Sequence, residues 1–165
     1  PAHFHAHRAD DIATAVRIAK EFQLDYVLVH ATEGYLVADI LAREGVRVIV
    51  GPIISDRSKP ELARLRVTNA AKLAQAGVPV AICTDHSELP IQYLPLSAAL
   101  AAKEGMDPET ALAAITLTAA EIGGIAHRVG SLTPGKDADL VLCSGHPFEL
   151  NARIEAVFID GHQVK

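Results

Sequence analysis

The sequence predicts a parallel α/β architecture followed by a smaller β-type unit, and three observations carry that prediction. Three short apolar runs in the first half bear metal-grade ligands at or near their ends: AHFHA contains His5, DYVLVHA brings up His30 and VPVAICTD closes on Asp85. Helix-like segments separate these runs, which puts the three side chains at the carboxyl ends of parallel strands, where α/β enzymes build their sites. From residue 127 the texture changes to short β runs between Gly and Pro turns, so the organisation divides into residues 1–126 and 127–165.

The first 126 residues read as four βα units. Strand AHFHA leads into helix ADDIATAVRIAKEF, in which Ile12, Val16 and Ala19 keep helical spacing and Asp10 or Asp11 can cap the start. Strand DYVLVHA is followed by a helix near residues 33–44 that Gly45 terminates. Strand VRVIVG is followed by the polar loop PIISDRSKPELARL and a helix near 67–76 ending at Gly77. The fourth strand is VPVAICTD. The last three strands are near-continuously apolar, as parallel strands covered on both faces are, and the alternation of strand and helix predicts a parallel sheet. After the loop SELPIQYLPL, Gly105 closes one helix, Asp107 and Pro108 open the next, and Thr118 to Glu121 spell a capping box for a third. The tail strands DADLVLC and IEAVFIDG are too few for an independent sheet and need partner strands.

Composition narrows the function. The chain has 165 residues, half apolar and about a fifth charged, which marks a globular fold. Its net charge is -5 and no Lys/Arg cluster carries interleaved aromatics, which argues against a nucleic-acid partner. No apolar run approaches the roughly 20 residues that span a bilayer, so the expected location is cytoplasmic, with no membrane partner. Cys83 and Cys143 form no CxxC pair, and Cys83 reads as a small buried hydrophobe. The first strand begins immediately after Pro1, which suggests upstream sequence.

Period two puts His3, His5 and His7 on one face of the opening strand. Neutral imidazole and carboxylate are the usual ligands of zinc and similar ions, and an open coordination position makes a bound water more acidic. His5, His30 and Asp85 are therefore the expected ligand set for a divalent metal. A lone histidine is more often a hydrogen-bonded structural residue; three ligands at strand ends shift the balance. Arg57 and Lys59, just past a strand end, are candidates to grip a substrate carboxylate, against the plainer reading of solvated loop charges. His7 and His86 are candidate substrate contacts, as are Gln92 and Tyr93 in the following loop, whereas His127, His146 and His162 read as surface residues. GSLTPGKD nearly matches a phosphate-cradling loop, but Asp137 replaces the hydroxyl residue and a strand pattern follows, so it reads as a turn.

Taken in order, FHAHRADDI, VLVHATEGY, VAICTDHSELP, VGSLTPGKDADLVL and VFIDGHQV resemble the amidohydrolase superfamily in its imidazolonepropionase-like and prolidase-like branch. That family folds as a (β/α)8 barrel with a small β-sandwich. The resemblance implies that His5, His30 and Asp85 match the ligands of barrel strands 5, 6 and 8, and that GSLTPGKDADLVL returns into the sandwich. It therefore implies the carboxyl-terminal half of a TIM barrel, strands 5 to 8, with the sandwich's closing strands. The family's HxH pair at strand 1 and its bridging residue at strand 4 have no counterpart here. The expected chemistry is hydrolysis of an amide or cyclic-amide C–N bond of a small-molecule substrate. Metal-activated water is the nucleophile and Asp85 the general base turned general acid. One or two ions are implied, zinc first, with iron or manganese admitted by the same ligands. The chain is expected to be a fragment with reduced or no activity alone, needing its amino-terminal half or a second copy. The alternative is a non-catalytic half-barrel module that assembles with a complementary chain.

Overall fold

A computed structural model describes all 165 residues. Strands β1 (Ala2–Ala6), β2 (Tyr26–His30), β3 (Val48–Val50) and β4 (Val80–Ile82) form one parallel sheet in the order β1-β2-β3-β4. The register aligns His5 with Val29, Val29 with Ile49, and Ile49 with Ala81. The adjacent row, Leu28, Val48 and Val80, points to the opposite face and into the main core. There it meets Ile12 and Val16 of helix α1 (Ala9–Glu21), Leu41 of α2 (Ala38–Arg43), and Ala70 and Leu73 of α3 (Asn69–Gln75). Helices α4 (Leu94–Lys103) and α5 (Pro108–Ala113) extend the same core through Ala98, Ala101 and Ala111. On the other face Val27 and Ala81 pack against Ile122 of α6 (Leu117–Ile122). Both faces thus bury apolar side chains, which is why β2 and β4 read as continuous apolar runs rather than alternating ones.

The elements depart from the sequence expectation where distant groups intervene. The helix expected near 33–44 is instead a 3-10 turn at Gly34–Leu36 followed by α2, broken at Val37 with φ −129°. Asn69 explains the break: its Oδ1 accepts the Tyr35 N–H at 2.9 Å while its Nδ2 donates to the Ala31 carbonyl at 2.9 Å. A side chain from α3 thus takes up backbone groups at the end of β2 and in the turn that follows. Gly45, at φ +65°, ends α2 as expected. Neither Asp10 nor Asp11 caps α1; Arg8 occupies the N-cap position without a side-chain bond, and the Ala9 N–H donates to Glu33 Oε2 at 2.9 Å. Thr118 lies inside α6 rather than at its cap, and Thr116, at that cap, donates its hydroxyl back to the Leu112 carbonyl. Asp107 does cap α5, accepting from the Thr110 N–H at 2.9 Å, with Pro108 in the first turn.

The tail forms a separate antiparallel sheet, β5 (Leu140–Cys143), β6 (Ile154–Ile159) and β7 (His162–Gln163), in the order β5-β6-β7. Ala156 is its one buried residue, while Val141, Leu142 and Ile154 are each at least half exposed. Gly130 to Asp137 runs through turns into β5, with no helix after it. No helix is long and apolar enough to cross a membrane.

Candidate metal centre

Four side chains from three strand ends converge at the carboxyl end of the parallel sheet. His5 lies near the end of β1 and His7 just beyond it; His30 is the last residue of β2, and Asp85 follows β4 by three residues. By strict alternation His30 belongs to the Leu28 face, away from His5. Its backbone instead enters the left-handed region at φ +70°, followed by Ala31 at +42°, and the chain turns at the strand end. The His30 ring therefore sits 4.2 Å from that of His5 and is stacked at 4.8 Å on that of His7. Asp85 leaves its strand in the same conformation, at φ +52°. Such conformations at non-glycine residues cost on the order of 1–3 kcal/mol each and persist where the surrounding fold over-determines them.

One nitrogen of each imidazole from His5, His7 and His30 lies within 4.8 Å of the others, a cluster that could hold an ion once the rings draw in slightly. Their outer partners orient them. His30 Nδ1 must donate to the Gly51 carbonyl, 2.5 Å away, which makes Nε2 the nitrogen that can face a metal. Gly51 can occupy that position because it has no side chain: at φ +149° an added Cβ would fall onto the Cys83 carbonyl. His7 Nδ1 bonds to Thr32 Oγ1 at 2.7 Å, which turns Nε2 toward His5 Nε2, 2.9 Å away. Burial first, then the nearby His30 and Lys59, hold His5 below the ordinary imidazole range, although Asp85 opposes the shift. Burial, with His30 and His5 next, pushes His7 down to about 4. Both rings are therefore neutral at neutral pH, the form that ligates metal.

These rings open on a cavity of about 40 Å³, also lined by Asp85, Lys59, Glu88 and Thr32. That volume holds an ion with a water. Of the residues singled out in the sequence, His5, His7, His30, Lys59 and Asp85 come together here. Asp85 stands on the wall, outside the closest donor trio, whose third member is His7. Arg57 does not reach this cavity; it donates to the Leu65 carbonyl at 3.1 Å and faces a larger cleft. His86 is exposed and lines neither space, and Gln92 and Tyr93 are exposed beyond the loop. His127, His146 and His162 are on the surface as expected. Thr32 and Gly51 escaped the sequence reading. Thr32, two residues past His30, follows a ligand closely, but nothing local marks it as a partner of His7.

Comparison with known proteins places this geometry in context. Residues 2–164 match the amidohydrolase family. An imidazolonepropionase of Geobacillus kaustophilus (strain HTA426) is 43% identical over 121 residues, covering 68% of this chain and 28% of that protein. An amidohydrolase of Hapsidospora irregularis is 30% identical over 162 residues, covering 95% of this chain and 16% of its own length. The chain thus spans little more than a quarter of the imidazolonepropionase. Among solved structures, an amidohydrolase from Thermotoga maritima MSB8 superposes with a TM-score of 0.95 at 45% identity, over 100% of this chain and 43% of that one. A prolidase complexed with n-methylphosphonate-l-proline shares the fold, with a TM-score of 0.75 at 22% identity over 99% of this chain and 44% of that one.

Proposed function

The chain belongs to the amidohydrolase family, and on that premise we propose that it supplies half of the active centre of a metal-dependent hydrolase of C–N bonds in small amides or cyclic amides. The observation that carries this reading is the convergence of His5, His7 and His30 at the strand ends, with Asp85 on the same cavity wall. Three imidazoles gathered on one cavity with one adjacent carboxylate suit a divalent ion, zinc before iron or manganese. His5 and His30 would hold it, with Asp85 completing the set from this chain and His7 either adding a ligand or meeting substrate. Such an ion supplies a polarised carbonyl and a more acidic water.

The residues of this chain do the rest. Asp85 accepts the proton of the attacking water and returns it to the leaving nitrogen, which requires an ionised carboxylate facing both in turn. Lys59 brings a positive charge to the cavity, suited to an anionic group of the substrate or to the developing negative oxygen. The sheet, open at β1 and β4, is read as strands 5 to 8 of an eight-stranded barrel, and β5 to β7 as strands of a shared sandwich. The remaining ligands and barrel strands then come from another segment or chain.

In the intact protein, Asp85→Asn is expected to lower turnover of an N-acyl amino acid or cyclic amide by at least about a thousandfold while bound metal is retained. The His5→Ala, His30→Ala double variant is expected to lose the metal itself, measured by elemental analysis. Full activity in the first variant would remove Asp85 from the reaction, and stoichiometric metal in the second would remove the ligand assignment.

A further inference from the structure

A second space, far larger than the imidazole pocket, is an open cleft of about 1300 Å³ between the 53–68 segment, the turn after β2 and helix α4. The two spaces share Ser55 and Leu65 among their lining residues and so lie side by side.

Three arginines, Arg57, Arg64 and Arg66, line this cleft, and Glu104 is the one carboxylate among the lining residues. In a chain of net charge -5 that concentration of positive charge is local and one-sided. The guanidinium groups are held but not consumed. Arg57 donates once, to the Leu65 carbonyl, and Arg66 Nε donates once, to the Tyr35 hydroxyl at 3.2 Å. Arg64 has a single charged neighbour, Glu33, at 3.9 Å. The Tyr35 ring anchors the group, with the Arg66 guanidinium 5.4 Å and the Lys72 ammonium 5.6 Å from its centroid. Ile53, Ile54, Leu65 and Val67 are among the apolar residues of the wall.

A planar fork matches a carboxylate through paired hydrogen bonds, and arginines already restrained by carbonyl and phenol contacts lose less freedom on binding. The apolar wall asks for a ligand with a hydrocarbon body beside its charge. We propose that this cleft is a binding site for a small organic carboxylate with an apolar body, separate from the imidazole pocket and independent of any metal there.

The test is calorimetric titration of the intact, EDTA-treated protein with N-acetyl-L-leucine, against its uncharged amide as control. The acid is expected to bind saturably and at least about tenfold more tightly than the amide, the difference that charge-assisted hydrogen bonds make. Arg57→Gln and Arg64→Gln are each expected to weaken the acid severalfold without changing the amide. The Arg64 side chain is highly exposed and donates no hydrogen bond, so its variant folds and decides the matter if Arg57→Gln does not. Equal binding of acid and amide, no binding of either, or acid binding unchanged in Arg64→Gln would overturn the site. So would binding that chelation abolishes, because it would then belong to the imidazole pocket.

Discussion

The Thr32 hydroxyl shows how one side chain outside the donor set controls it. It bonds His7 Nδ1 at 2.7 Å, and the segment that carries it also donates the Glu33 N–H to the His7 carbonyl at 2.8 Å. Both ends of His7 are thus fixed by the two residues that follow the turn after His30. Thr32 is buried, so Thr32→Val keeps the shape while removing the hydrogen bond. Partners of this kind are worth about 10–100-fold in metal affinity. Competitive chelator titration of the intact Thr32→Val protein is expected to show a loss in that range with an unchanged melting temperature. An unchanged affinity would mean that His7 is a substrate contact alone, as its sequence position first suggested. At this scale the sequence was legible in part. His5, His30 and Asp85 stand out because each ends or nearly ends an apolar run. The turn that brings His30 across to the His5 face does not, because non-glycine residues at φ +70° and +42° leave no mark in composition. Arg57 illustrates the converse: a loop charge close in sequence to Lys59 can serve a different cavity.

Helix α1 depends on a contact from outside itself. Its first turn carries Asp10 and Asp11, which suit the positive end of the helix dipole, but Arg8 at the N-cap makes no capping bond. The Ala9 N–H is satisfied instead by Glu33, 24 residues away and buried. Glu33 thereby locks the α1 start to the end of β2, and since His7 precedes that start by two residues, helix docking and imidazole position are coupled. Loss of such a cap costs about 0.5–2 kcal/mol. Glu33→Ala is expected to lower the unfolding free energy by about that amount and to speed hydrogen exchange at Ala9 and Asp10, with Glu33→Gln recovering most of both. No change in exchange at those amides would show that water serves equally well. Local pattern found α1 because Ile12, Val16 and Ala19 keep their spacing, and all three are buried. It missed the Glu33 cap and the Asn69 break in the 33–44 segment for the same reason: each bond joins residues at least 24 positions apart.

At the scale of the molecule, the parallel sheet and the small antiparallel sheet each stop short of enclosure. Strands β1 and β4 have one unpaired edge each, and a parallel edge offers backbone donors and acceptors to whatever arrives. The small sheet buries only Ala156, while Val141, Leu142, Ile154 and Ile159 remain about half exposed or more. Apolar surface on a three-stranded sheet that short does not hold the sheet together by itself. This chain covers 43% of the solved Thermotoga amidohydrolase and 28% of the Geobacillus imidazolonepropionase, and on the proposed reading the remainder of such a protein would supply the complement. Alternating strand and helix patterns made the parallel sheet legible, and the change of texture near residue 127 made the second sheet legible. What completes either sheet lies outside any pattern these residues carry. The 165-residue chain expressed alone is therefore expected to self-associate, to unfold at a lower temperature than the intact protein and to bind metal weakly. Sedimentation velocity and elemental analysis of the same preparation check all three together with a thermal scan. A monodisperse monomer that unfolds cooperatively and holds stoichiometric metal would mean that the exposed edges need no partner, and that His5, His7, His30 and Asp85 form a sufficient site.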